Sequence, residues 1–165
     1  MHVFLVRHAH AVTAEENPLR PLSSRGRAEA LRIATFLRGS PAFRPAQYWH
    51  SPLARAAATA SVLAATIDPE ALRVETDDLL PEDDPEAMAH RLAEYPTAHE
   101  LALVGHEPHL SALATLLVRG RPHPVQFALR KGAVVALERT PRTHKRDNLP
   151  RWRVRWHLSP ELLPP

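Results

Sequence analysis

There is no cysteine among the 165 residues, and that absence removes three chemistries together: a disulfide scaffold, a thiolate zinc site and a cysteine nucleophile. Long apolar runs are missing as well. The opening stretch Val3-Phe4-Leu5-Val6 ends at Arg7, too short for a signal-peptide core or a membrane span. The chain is therefore expected to be cytoplasmic, with no membrane partner. No repeat, low-complexity tract or long linker divides it, so a single domain over residues 1–165 is expected, with a short Pro-rich tail from about residue 159. At this length folding can bury on the order of 70% of the chain's surface. The 44% hydrophobic and 24% charged residues are ordinary for a globular protein and exclude collagen-like, coiled-coil and disordered classes. The 17 prolines read as rigid turns at element boundaries or in the tail.

Charge is unevenly spread. Asp68 to Glu94 contains ten acids and two bases, which leaves 19 bases against 8 acids in the other 138 residues. A basic body suits an anionic ligand or serves solubility alone.

Residues 2–6 read as a buried strand, and residues 46–50 and 101–104 carry weaker versions of that signal. Each precedes a helix pattern. Ser23 caps a run in which Ala30, Ile33, Ala34 and Leu37 recur at helical spacing until Gly39. Ala56, Ala60, Leu63 and Ile67 repeat the spacing after Ser51-Pro52, as do Leu110, Leu113 and Leu117 between Pro108 and Gly120. A further helix is expected from Pro85 to about Tyr95. Alternating strands and helices specify an α/β fold with a mostly parallel sheet. Ala133 to Glu138 and Arg151 to His157 look like an antiparallel pair at one edge, joined by a polar stretch rich in Arg and Lys.

Ligands of such folds gather at the C-terminal ends of the strands, where this reading places Arg7-His8, Ser51-Pro52-Leu53-Ala54-Arg55 and Gly105-His106-Glu107-Pro108. Guanidinium forks match phosphate oxygens, and helix N-termini near Pro52 and Pro108 point free N–H groups toward the same space. The combination suits a dianion.

These segments, Leu5-Val6-Arg7-His8-Ala9, Arg20-Pro21-Leu22-Ser23 with Gly26, Ser51 to Ala56 with Thr59-Ala60, and Val104-Gly105-His106-Glu107-Pro108, resemble the histidine phosphatase superfamily of phosphoglycerate mutase-like enzymes. The likeness spans residues 2 to about 138. Length, the R-P-L-S segment and the G-H-E-P turn look most like phosphohistidine phosphatases of the SixA type. The resemblance implies a three-layer α/β/α sandwich, no metal and no cofactor, with His8 as nucleophile and Arg7, Arg55 and His106 binding the phosphoryl oxygens. Arg20 matches a further phosphate-binding position near the pocket. Glu82, in the loop Leu80-Pro81-Glu82-Asp83-Asp84, is the candidate proton donor; the alternative is that these acids only complement the dipole of the helix begun by Pro85. The implied substrate is phosphohistidine on a protein, for example a histidine-phosphotransfer domain, with small phosphomonoesters as the alternative. Ala9 stands where the family more often has glycine, so the backbone there must accommodate a Cβ.

The chemistry agrees with this transfer. A neutral imidazole attacks phosphorus only if its other nitrogen is held as a donor, and the charge on the equatorial oxygens needs fixed cations. Neighbouring positive charges should lower the pKa of His8, and a bound dianion should favour the charged form of His106.

Two rival readings are open. His8, His10, His106 and His109 would form a metal site if four imidazoles converged, although an arginine beside each cluster opposes a cation. Arg139, Arg142, Lys145, Arg146, Arg151, Arg153 and Arg155, interleaved with Trp152 and Trp156, would suit a nucleic acid. Strand alternation instead puts both tryptophans and Val154 on a core face and the arginines in solvent, so no nucleic-acid partner is expected. His50 is a candidate for the pocket rim.

Overall fold

The computed structural model describes residues 1–163. Four parallel strands, β1 (His2–Arg7), β2 (Gln47–His50), β3 (Leu72–Glu75) and β4 (Leu101–Gly105), join two antiparallel ones, β5 (Val134–Thr143) and β6 (Pro150–Leu158), in the order β3-β2-β4-β1-β5-β6. Helices α1 (Ser24–Arg38) and α2 (Ala54–Ile67) cover one face, and α3 (Pro85–Glu94) and α4 (His109–Arg119) cover the other. The α/β/α layering and the antiparallel edge are those expected from the sequence.

The apolar run of β1 follows from this layering. Val3 and Leu5 enter the core beneath α3 and α4, while Phe4 and Val6 enter the one beneath α1 and α2. A strand covered on both faces has no position for a polar side chain. Burial of each such side chain contributes about 1.5–3 kcal/mol.

Helix α1 begins where Ser23 Oγ accepts the Gly26 N–H at 3.1 Å and buries Ala30, Ile33, Ala34 and Leu37 as one stripe. Pro85 opens α3 behind the Asp84 cap, and Gly120 ends α4 in the left-handed conformation, φ 77°. A Cβ at Gly120 would also lie 2.7 Å from His144 Nδ1.

The strand order sets the site. β1 and β4 are neighbours with Arg7 opposite Gly105, and β2 lies on the far side of β4 with His50 opposite Val104. The three loops that follow these strands therefore leave the sheet side by side.

Several details differ from the sequence reading. β6 carries a bulge: Ala136 pairs with Trp156 but Leu137 pairs with Val154, leaving Arg155 as the extra residue. One inserted residue inverts the alternation. Trp152 is buried beneath α4, while Trp156 packs against Phe4 and Phe43 on the opposite face. The tryptophans thus do not share a face. The expected Arg- and Lys-rich connection is partly strand, because β5 runs to Thr143. Pro141 lies inside β5, but pairing is irregular between Arg139 and Thr143, where a missing N–H costs no regular ladder bond. The tail is partly docked, with Pro160 buried and Leu163 in the core under α1 and α2; Pro164 and Pro165 lie outside the described residues.

Candidate active site

His8 is the first residue beyond β1, and its N–H donates to the Gly105 carbonyl at 3.0 Å, which continues the β1–β4 pairing by one residue. The ring is buried, at 6% exposure. Its Nδ1 lies 2.7 Å from the Ala9 carbonyl. A carbonyl only accepts, so Nδ1 carries the proton and Nε2 is left with its lone pair. Ala9 is itself held by Thr59 of α2, whose Oγ1 accepts the Ala9 N–H at 3.1 Å and donates to the Arg55 carbonyl at 2.7 Å. The Cβ of Ala9 is accommodated in a small cluster with Leu22 and Ala30.

His106 occupies the equivalent position after β4. Its ring centroid is 5.0 Å from that of His8. Ser51, whose N–H extends the pairing of β2 onto the Val104 carbonyl, places its Oγ 2.7 Å from His106 Nε2 and accepts the Leu53 N–H. His106 Nδ1 has no protein partner. Arg7, at the end of β1, donates through Nη1 to the Leu129 carbonyl at 2.7 Å, and Arg55 sits in the first turn of α2. The Nε groups of both arginines are buried donors without acceptors. Two orphaned guanidinium donors and the unpaired Nδ1 of His106 around His8 suit a ligand rich in oxygens. Neither α2 nor α4 has a side-chain cap, so both present uncapped N-termini.

The electrostatics follow from burial first. Desolvation pushes His8 down to about 4, helped by the charges of Arg55, Arg7 and Lys131 and opposed by the bond to Ala9. The expected direction holds, but burial outweighs the charges as its cause. His106 is pushed down to about 3 by burial and then by His8, Arg55 and Arg7. Both imidazoles are therefore neutral at pH 7.

Burial lowers the Arg55 pKa, and Arg20 lies close enough for its charge to lower it further. Arg20 holds a left-handed backbone, φ 48°, costly for a side chain that large, and its Nε reaches the Val12 carbonyl at 3.4 Å. The R-P-L-S segment is a brace for the loop after His8. Ala11 bridges Leu22, Ser23 N–H donates to the His10 carbonyl, and His10 Nδ1 meets Ser23 Oγ at 2.8 Å. Gly26 completes it, since a Cβ there would sit 1.8 Å from the His10 oxygen.

Glu82 is exposed in the loop between β3 and α3, and its side chain makes no hydrogen bond among the described residues. Asp83 binds the Leu80 N–H and Asp84 caps α3. The four histidines do not form a metal-binding group: β1 ends at Arg7, His10 is bonded to Ser23, and His109 is buried with both nitrogens unpaired. Among the described residues no set of three or more His, Asp or Glu side chains is arranged to hold a metal ion. His50 is buried with Nδ1 3.0 Å from the Ser51 carbonyl.

Sequence reasoning did not single out Ser51, Lys131 or Glu107. Ser51 and Glu107 lie inside segments it did select, and a buried polar residue beside a motif histidine is a usable signal. Burial raises the pKa of the Glu107 carboxyl, and Ser111, Arg7 and the Leu129 backbone pull it back in part. Lys131 reaches His8 only through the fold, and nothing local marks it.

The sequence profile of the histidine phosphatase superfamily, branch 1, matches residues 3–91. No curated protein matches the chain in sequence. Among solved structures, the protein histidine phosphatase SixA in complex with tungstate superposes with a TM-score of 0.78 at 22% identity, over 98% of this chain and 99% of that one. A candidate SixA phosphohistidine phosphatase from Agrobacterium tumefaciens gives 0.74 at 23% identity, over 96% and 97% of the two chains. The alpha-ribazole phosphatase of Shigella flexneri gives 0.72 at 18% identity, over 93% and 95%. At these identities the likeness is one of fold.

Proposed function

The chain belongs to the histidine phosphatase superfamily, and from that premise we propose that it is a metal-independent phosphatase which removes phosphate from phosphohistidine on proteins. The observation that carries this reading is the neutral His8 ring, tied at Nδ1 to Ala9 and flanked by the orphaned donors of Arg7 and Arg55 and by the unpaired Nδ1 of His106.

His8 Nε2 attacks phosphorus in line with the scissile bond. The P–N bond to the substrate imidazole breaks, its electron pair stays on that ring, and the ring takes up a proton. Arg7 and Arg55 hold the equatorial oxygens, and His106, protonated at Nδ1 once the dianion is bound, donates to a third. Water then attacks the phosphoryl group on His8, releasing phosphate and restoring the neutral ring. An imidazole leaves more readily than an alkoxide, so the leaving group needs no strong acid; exposed Glu82 or water suffices as the proton source.

Chain length also supports a protein substrate. Only 50 residues separate Arg55 from His106, and they are occupied by most of α2, β3, α3 and β4, which leaves little chain for a lid. No helix among the described residues is long and apolar enough to cross a membrane; a cytoplasmic location is part of the proposal. The test compares kcat/KM for a phosphohistidine-bearing protein domain with that for sugar and glycerate phosphates. We expect the protein to be preferred by about tenfold or more, some 1.4 kcal/mol in the barrier. A sugar phosphate favoured by that margin would make the enzyme a small-ester phosphatase.

A further inference from the structure

Arg7 faces two spaces. Beyond the side turned to His8 lies a cavity of about 430 Å³, bounded by α1, by the Arg130-Lys131 segment that leads into β5, and by the turn at Pro160. Arg25, Glu29 and Arg32 line it from α1, and their spacing of four and seven residues puts them on one stripe of that helix. Lys131 lines the same cavity and also adds its positive charge at His8. The cavity and the candidate nucleophile are therefore adjacent, with Arg7 and Lys131 common to both.

The cavity is charged well beyond what its own acids neutralise. Five cations, Arg7, Arg25, Arg32, Arg130 and Lys131, meet two carboxylates, Glu29 and Glu161. Glu29 is held by Arg25 at 2.7 Å and Glu161 by Arg130 at 3.2 Å, so both acids are occupied. Arg32 gives Nη2 to the Pro160 carbonyl, but its Nε is buried without an acceptor. Lys131 makes no hydrogen bond or ion pair among the described residues. Donors left unpaired in a concave wall cost free energy that an anion recovers.

We propose that this cavity is a second anion subsite, which recognises a carboxylate or a further phosphate carried by the substrate beside the phosphoryl group to be transferred. The proposal rests on His8 marking the phosphoryl site. It would make the enzyme selective for phosphoryl groups with an acidic neighbour, whether an Asp or Glu side chain of a phosphoprotein or the carboxylate of a small ester.

The test uses two substrate pairs and one reference. The first pair is a phosphohistidine peptide flanked by Asp and Glu against the same peptide flanked by Ala. The second is 3-phosphoglycerate against glycerol 3-phosphate, and p-nitrophenyl phosphate is the reference. In the parent, the acidic member of at least one pair is expected to have a kcat/KM about tenfold higher than its neutral partner, and the pair that shows this identifies the source of the anion. In the Arg25→Gln/Arg32→Gln protein the ratio should fall to about twofold or less. Arg25→Gln alone, at the exposed end of the stripe, is the second variant should the double substitution lose its melting transition, and it should reduce the ratio part-way. A parent with no acidic preference in either pair, or a preference that survives in the variants, overturns the subsite. A parent that turns over none of the substrates, p-nitrophenyl phosphate included, overturns the phosphoryl-site reading itself and the subsite with it.

Discussion

His8 and His106 lie 5.0 Å apart between ring centroids and are both neutral at pH 7 in the free protein, yet the proposed chemistry asks opposite things of them. His8 attacks, so it must stay neutral; His106 clamps, so it gains a proton when a dianion arrives. Binding of vanadate at pH 7 should therefore take up as much as about one proton. Calorimetry in two buffers of different ionisation enthalpy reads this uptake directly, and it should vanish in His106→Gln. The arginines differ from the histidines in being charged throughout. Arg7→Ala and Arg55→Ala each remove a clamp present in both the ground state and the transition state, so turnover and vanadate affinity should fall together, by about tenfold or more. Unchanged vanadate inhibition in both variants would place the phosphoryl pocket elsewhere.

At the scale of elements, catalytic geometry depends on how α1 and α2 grip the loop after β1. Gly26 allows the first turn of α1 to touch the His10 carbonyl, and a Cβ would have to enter a gap of 1.8 Å. Gly26→Ala should destabilise the fold by at least about 1–3 kcal/mol, the usual cost of overpacking, and denaturant unfolding would measure it. A variant as stable as the parent would mean that α1 does not brace the loop. Much of this frame was legible in the sequence because its elements have period and punctuation. The run at residues 2–6, the stripe from Ala30 to Leu37, and Pro85 and Gly120 all mark themselves. β3 does not, since it lies at a sheet edge with all four side chains exposed and carries no apolar run. The bulge at Arg155 is equally silent: strict alternation gives Trp152 and Trp156 one face, and only pairing with β5 shows that a residue has been inserted. The candidate site was readable where it followed strand ends, as for Arg7, His8, Arg55 and His106. It was not readable where tertiary proximity alone brings in a charge, as for Lys131.

For the molecule as a whole, these buried groups tie stability to pH. The folded-state pKa values of His8 and His106, about 4 and about 3, lie below the ordinary 6.5, and burial moves His109 in the same direction. The unfolded chain therefore binds protons first as pH falls. Stability should be complete above pH 6.5 and decline as pH drops from 6.5 toward 4, and bound phosphate should lessen the decline. Chemical denaturation at pH 7, 6, 5 and 4 checks this. A stability independent of pH over that range would mean that the imidazoles are not held neutral. The excess of base over acid outside residues 68–94 also has a structural location, because part of it lines the cavity beside Arg7.

In the proposed mechanism phosphate passes through His8, without metal. Rapid quench of the enzyme with labelled phosphohistidine substrate, in excess EDTA, tests it most directly. A phosphoenzyme that is labile in acid and stable in base is expected in the parent, and none in a folded His8→Ala protein. Full labelling of His8→Ala, or labelling of the parent that disappears with EDTA and returns with zinc or manganese, would contradict it.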